Sequence, residues 1–212
     1  MPTSRIELIL ESAQPAAIIT DKKGSSIAQN LQFDGEILSA ETLFQSEINN
    51  AALDAIRAKQ IDTDPIYVVF TSGSTGVPKG VVACHRSVID YTESLCEAIG
   101  FDENAVFANQ TPLYFDAPLK EIMPTIKFGA TAYLVPKMLF MFPVKLCDYL
   151  NEHKVNTICW VVSALTMISS LQTFDKVVPQ YIKTVAFGSE VFPVKQFNLW
   201  KTTLPETDFV NL

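Results

Sequence analysis

Residues 66–82, IYVVFTSGSTGVPKGVV, decide how the rest of the chain is read. Ile66 to Phe70 are all β-branched or aromatic, the pattern of a strand covered on both faces. The strand runs directly into a loop in which Gly73, Gly76 and Gly80 free the backbone and Thr71, Ser72, Ser74 and Thr75 supply hydroxyls. Lys79 adds one cation. Such a loop can turn its N–H groups and hydroxyls inward around the oxygens of a polyphosphate. A Walker A loop would read GxxxxGK followed by Ser or Thr and would open a helix. Here Pro78 precedes Lys79, and Gly80-Val81-Val82 continues as strand, so the expected shape is a hairpin. An ordinary Gly/Ser-rich turn is the plain alternative. Ten motif positions placed directly behind a buried strand argue against it.

Outward from this stretch, the chain alternates between strand and helix. Towards the C-terminus the pattern predicts a helix from His85 to Ile99 closed by Gly100, a strand over Val106–Asn109, a helix over Ala117–Phe128 and a strand over Gly129–Val135. Helices over 143–153, 163–171 and 193–203 then alternate with strands over 157–162, 182–187 and 208–211. Towards the N-terminus, Ile6, Ile9 and Leu10 mark a short helix, Ala16–Thr20 a strand, and Leu43–Lys59 an amphipathic helix. Turns are expected at Lys22–Gly24 and Phe33–Gly35. Regular alternation of this kind implies an α/β fold with a mostly parallel sheet and flanking helices.

Composition agrees with that class. The chain has 212 residues, enough to bury a sizeable core. At 48% hydrophobic and 18% charged residues it suits strands covered on both faces. A formal net charge of -7 with no basic cluster gives no footprint for nucleic acid, so small-molecule partners are expected. Cys84, Cys96, Cys147 and Cys159 have no CxxC spacing and are expected as free, mostly buried thiols of a reducing compartment. The N-terminus lacks the apolar core of a signal peptide, and the longest apolar stretch, near Met138–Val144, is far short of a membrane span. A cytoplasmic address, with no membrane partner, is the expectation.

Tyr67–Gly80, YVVFTSGSTGVPKG, resembles the signature of the adenylate-forming superfamily, which includes acyl-CoA synthetases, luciferases and peptide-synthetase adenylation domains. Other segments agree in order. The Pro2–Ile6 segment is similar to one that follows an early Gly-rich motif of the family, and His85-Arg86-Ser87 to its helix start after the loop. Tyr114-Phe115-Asp116-Ala117 resembles the FDxS segment of the amino-acid-activating branch. Gly188-Ser189-Glu190 resembles the GGE loop, and Asn211-Leu212 the opening of NxYGPTE. The likeness covers nearly the whole chain and implies part of the large N-terminal domain of such an enzyme over residues 1–212.

The resemblance also implies a chemistry. A substrate carboxylate would attack the α-phosphate of Mg-ATP, giving an acyl-adenylate and pyrophosphate, and a thiol of a carrier protein or of CoA would then take the acyl group. Positioning and charge neutralisation carry such transfers, which accounts for a loop of donors with Lys79 in place of a nucleophilic triad. By this likeness Lys79 and Thr71 are catalytic. Thr71, Ser72, Gly73, Ser74, Thr75, Gly76, Lys79, Gly80, Gly188, Ser189, Glu190 and Asn211 hold the nucleotide.

Asp116, Ala117 and Lys120 match substrate positions, and Asp116 matches the aspartate that pairs with the α-ammonium group of an amino acid. Asp116 serves equally well as the N-cap of the helix from Ala117, and Gly188–Glu190 as a plain strand-to-helix turn. Lys120 stands where a bulky apolar residue is common, which leaves the substrate's identity open. His85 reads as a helix-start residue and His153 as solvated, while Phe115, Phe187 and Trp160 read as core. The family continues beyond Leu212 with the glutamate that helps hold Mg²⁺, the ribose-binding aspartate and a C-terminal domain carrying a further lysine. The chain is therefore expected to be a middle segment, inactive or nearly so by itself. Acyl-CoA synthesis from another carboxylic acid and a non-catalytic nucleotide-binding remnant are the alternatives.

Overall fold

A computed structural model of the chain describes residues 2–71 and 77–212. The chain divides after Val88 into two compact units.

In the first unit, α1 (Thr3–Ala13) ends where Gln14 turns left-handed and returns its N–H to the Leu10 carbonyl. β1 (Ala17–Thr20) and β2 (Glu36–Ser39) pair in parallel, joined through α2 (Lys22–Ala28). The turn expected at Lys22–Gly24 is instead the first turn of α2. The Asp21 carboxylate caps that helix by accepting the Gly24 N–H at 2.7 Å, and a cap of this kind is worth about 1 kcal/mol.

The helix expected over Leu43–Lys59 forms only in its later part. α3 (Ala40–Leu43) stops early, and α4 (Asn50–Arg57) starts behind Asn49, whose side chain accepts the Ala52 N–H at 3.0 Å. Asparagine bonds the backbone more readily at a cap than inside a helix, so the apolar stripe does not carry one helix through this point. β3 (Pro65–Thr71) and β4 (Lys79–Cys84) then form an antiparallel pair. Arg86, at the start of α5 (His85–Ile99), holds Asp62 through two hydrogen bonds of 2.7 and 2.8 Å, and this contact lowers the Asp62 pKa.

The second unit carries the alternation that the sequence predicts: β5 (Val106–Asn109), α6 (Leu119–Phe128), β6 (Thr131–Leu134), α7 (Pro143–Glu152), β7 (Thr157–Val161), α8 (Val162–Ser170), β8 (Thr184–Gly188), α9 (Val194–Thr203) and β9 (Asp208–Asn211). The five strands form one parallel sheet in the order β6-β5-β7-β8-β9. Side chains alternate between its faces. Ala108, Ile158, Trp160, Val185 and Phe187 pack with residues of α7, α8 and α9, including Leu146, Leu150, Leu165 and Trp200. Phe107, Cys159 and Ala186 pack on the other face with Leu95 and Cys96 of α5 and with Phe128 of α6. Burying a side chain such as Ile158 or Leu165 contributes about 2 kcal/mol.

Trp160 and Phe187 are core, as expected. Phe115 is not: it is exposed, with its ring against that of Tyr114 at 4.7 Å between centroids. His153 is half-buried rather than solvated, because the rings of Tyr133 and Tyr149 lie 4.2 Å from it on two sides. All four cysteines are free, and Cys96, Cys147 and Cys159 are buried. Among the described residues no helix is long and apolar enough to cross a membrane.

Candidate functional site

The glycine loop is held at its base by the hairpin. Thr71 and Lys79 are the last register pair of β3 and β4, and the Thr71 hydroxyl donates to the Lys79 carbonyl at 3.4 Å. Ser72, Gly73, Ser74, Thr75 and Gly76 lie outside the described residues. Lys79 is exposed, and its ammonium has no ion-pair partner among the described residues. Strand follows Lys79 directly, so the Walker A arrangement of loop and helix does not occur here. Gly80 fits because its neighbours are close: a Cβ there would come within 2.9 Å of the Val68 side chain and 3.2 Å of the Phe70 ring. From α1, Arg5 donates to the Phe70 carbonyl at 3.4 Å, one residue before Thr71.

The remaining candidates belong to the second unit and share one end of its sheet. From β5 the chain crosses to β6 on one side, whereas from β7 it crosses to β8 on the other. The carboxyl ends of β5 and β7 therefore flank a topological switch point, where open parallel sheets bind ligands. Asp116, Ala117 and Lys120 lie on the segment that leaves β5 and enters α6. Gly188 ends β8 at the same edge, Ser189 and Glu190 follow it, and Asn211 ends β9, in register with Phe187.

Asp116 is exposed, and among the described residues its carboxylate has no hydrogen-bond or ion-pair partner. It does not cap α6. That helix starts at Leu119, two residues later than expected, and the capping position is Pro118, which makes no side-chain bond. Asp116 contributes its backbone carbonyl, accepting the Leu119 N–H at 3.0 Å. Lys120 is half-buried in the first helical turn. Near this segment, Leu113, Tyr114, Leu134, Met138, Phe140 and Met141 are among the walls of a cavity of 740 Å³, to which Asp116 and Lys120 do not contribute.

The loop after β8 is tightly specified. A Cβ on Gly188 would come within 2.7 Å of the Leu212 carbonyl oxygen, so only glycine fits against that strand end. Ser189 sits at φ 69°, a left-handed conformation unfavourable for a residue with a side chain. The Glu190 carboxylate accepts the Ser163 backbone N–H at 2.8 Å, tying this loop to the start of α8.

Sequence reasoning passes over Glu121. It is 1% exposed and is the one buried carboxylate among the described residues. Its oxygens accept from the Asn109 side-chain amide at 2.7 Å and from the Cys159 N–H at 3.3 Å. Burial pushes its pKa up to about 8, with the two donors opposing the shift. Burial also raises the Cys159 thiol pKa well above its ordinary value, with the neighbouring Glu121 adding to the effect. The available signal is an acidic residue whose i+3 and i+7 neighbours, Pro124 and Phe128, continue an apolar helix face. Among the described residues no group of three or more His, Cys, Asp or Glu side chains could hold a metal ion.

The sequence profile of a family described as AMP-binding enzyme matches residues 1–212. The chain is 29% identical over 217 residues to an L-proline--[L-prolyl-carrier protein] ligase of Pseudomonas fluorescens, a match covering all of this chain and 43% of that protein. It is 28% identical over 214 residues to a D-alanine--D-alanyl carrier protein ligase of Staphylococcus aureus, covering all of this chain and 42% of the ligase. The chain thus spans less than half the length of these curated relatives. Among solved structures, that of McyG A-PCP complexed with phenylalanyl-adenylate superimposes with a TM-score of 0.81 at 20% identity, over 96% of this chain and 33% of that one. At that identity the likeness is one of fold.

Proposed function

Since the chain belongs to the AMP-binding enzyme family, we propose that it is part of one larger adenylation domain of an ATP-dependent ligase that activates an amino acid for transfer to a carrier-protein thiol. The observation that carries the amino-acid reading is the exposed carboxylate of Asp116, without a partner among the described residues and without a capping role, on the segment leaving β5 at the switch point. A carboxylate there suits an α-ammonium group. The carrier-protein ligases to which the chain is similar point the same way.

In the proposed reaction a carboxylate oxygen of the amino acid attacks the α-phosphorus of ATP. The bond from that phosphorus to the bridging oxygen of the β-phosphate breaks, and pyrophosphate leaves. The carrier thiolate then attacks the acyl carbon and AMP departs, leaving a thioester. Lys79 neutralises phosphate charge, and the hydroxyls of Thr71, Ser72, Ser74 and Thr75 with the freed backbone at Gly73, Gly76 and Gly80 cradle its oxygens. Gly188, Ser189, Glu190 and Asn211 border the nucleotide, while Asp116, Ala117 and Lys120 face the amino acid. Mg²⁺ would arrive with the triphosphate, whose oxygens are its natural ligands.

The test is ATP–pyrophosphate exchange, driven by a panel of amino acids and by fatty and aryl acids, in the longest polypeptide containing residues 1–212 and in the 212-residue chain alone. Exchange driven by an amino acid and abolished by Asp116→Ala is the expected result in the longer protein. Lys79→Ala lowers its rate about 100-fold. Exchange driven only by fatty or aryl acids, and indifferent to Asp116→Ala, would overturn the amino-acid reading. The chain spans less than half of its relatives, so the isolated 212 residues are expected to give little or no exchange. Robust turnover by them would sink that expectation.

A further inference from the structure

β5 and β7 meet at one register pair, Phe107 with Thr157, and towards the switch point side chains bridge them. The Trp160 indole donates to the Ala108 carbonyl at 2.6 Å. Glu121 reaches out of α6 to the Cys159 N–H of β7 and to the Asn109 side chain at the end of β5. Asn109 is the last residue before the segment that carries Asp116, and Glu121 is the first residue after Lys120. Their hydrogen bond therefore closes the base of an eleven-residue segment, residues 110–120, made of the loop after β5 and the first two residues of α6, while the Cys159 N–H anchors the closure to the centre of the sheet.

A leucine at position 121 would avoid the penalty of burying a carboxyl, but it would leave the Cys159 N–H and the Asn109 amide without these acceptors. Asn109 is itself buried, so solvent does not replace the lost contact.

From this arrangement we infer that Glu121 is a positioning residue whose bond to Asn109 clasps the 110–120 loop and so sets where Asp116 and Lys120 stand. This deepens the function proposed above and rests on it for the loop's role towards the amino acid. Glu121 acts through the loop and touches no reacting atom in this scheme.

Hydrogen–deuterium exchange of the 212-residue chain tests the clasp without any ligand. Glu121→Ala and Asn109→Ala are each expected to speed exchange in peptides covering 110–122 by about tenfold, leaving β8 and α9 unchanged. Glu121→Gln is expected to retain wild-type protection, because its amide can face both Cys159 and a rotated Asn109. Unchanged loop exchange in the alanine variants, loss spread across the whole sheet, or a glutamine variant as damaged as the alanine one would each overturn the clasp. Should Glu121→Ala fail to fold, Glu121→Asp, too short to reach both donors, must show the local loss, and global unfolding of both variants counts against the inference.

In the longer polypeptide, amino-acid-driven pyrophosphate exchange is expected to show a KM for the amino acid raised about tenfold by Asn109→Ala, with kcat and the KM for ATP within about twofold of wild type. An unaltered amino-acid KM in a variant whose loop has loosened would overturn the positioning role. Absence of amino-acid-driven exchange in the wild-type protein would sink the proposed function and the loop's substrate role with it, while the deuterium measurement would still decide the clasp.

Discussion

The indole N–H of Trp160, on β7, lies 2.6 Å from the carbonyl oxygen of Ala108, on β5, and takes the place of a ladder bond between two neighbouring strands. Ala108 is fully buried and Trp160 is 1% exposed, so neither group has water as an alternative partner. Replacing Trp160 by Phe removes the donor, strands the carbonyl and leaves a small void beside Phe140. A loss of about 2–4 kcal/mol is expected. It should appear as a lower urea midpoint with little change in the slope of the transition. A midpoint equal to wild type would show that the bridge contributes nothing to stability.

The buried carboxyl predicts a pH dependence of opposite sign to that of a surface ion pair. In the unfolded chain Glu121 ionises near 4.5, whereas in the folded chain burial holds its pKa at about 8. Between those values the unfolded state binds fewer protons than the folded one, so stability falls as pH rises, by up to about 1.4 kcal/mol per pH unit. Below the lower value and above the upper one this contribution is flat. Glu121→Gln removes it. The difference between wild-type and Glu121→Gln unfolding free energies, followed across this window, is the measurement, and a constant difference would contradict a raised Glu121 pKa.

In the loop after β8, two neighbouring positions respond oppositely to a single methyl-scale change. Ser189 is held at φ 69°, so Ser189→Gly relieves strain and is expected to raise stability by about 0.5–1 kcal/mol. Gly188→Ala drives a Cβ to 2.7 Å from the Leu212 carbonyl and is expected to lower stability by about 1–3 kcal/mol. Thermal denaturation of the two variants distinguishes them by the sign of the shift. A glycine at 189 that destabilises the protein would mean that the Ser189 side chain makes a compensating contact.

Much of the architecture is legible along the chain because it is encoded locally. The strand–loop–strand order around Lys79 follows from a β-branched run, three glycines and a Pro-Lys-Gly-Val-Val sequence that cannot open a helix, and β3 and β4 pair accordingly. The alternation from His85 to Asn211 follows from the change of apolar period between helix and strand. Where the apolar period competes with a polar side chain, it misleads. Asp21 turns an expected bend into the start of α2, and Asn49 delays to Asn50 the start of the helix expected from Leu43, since each carboxylate or amide accepts a backbone N–H three residues on.

The likeness to the adenylate-forming family likewise comes from contiguous residues and marks the candidate positions without showing how they are held. Asp116, a plausible helix cap from its neighbours alone, has no such role, because Pro118 and Leu119 shift the start of α6. The closure of the 110–120 loop by Asn109 and Glu121, the 52-residue reach from Trp160 to Ala108, and the approach of Leu212 that admits only glycine at 188 arise when distant segments become neighbours. Short-range periodicity and capping carry information over one or two turns of chain. Burial and the pairing of freed backbone groups are settled by whichever strands end up side by side, and at the split between β5 and β7 that outcome belongs to the folded sheet.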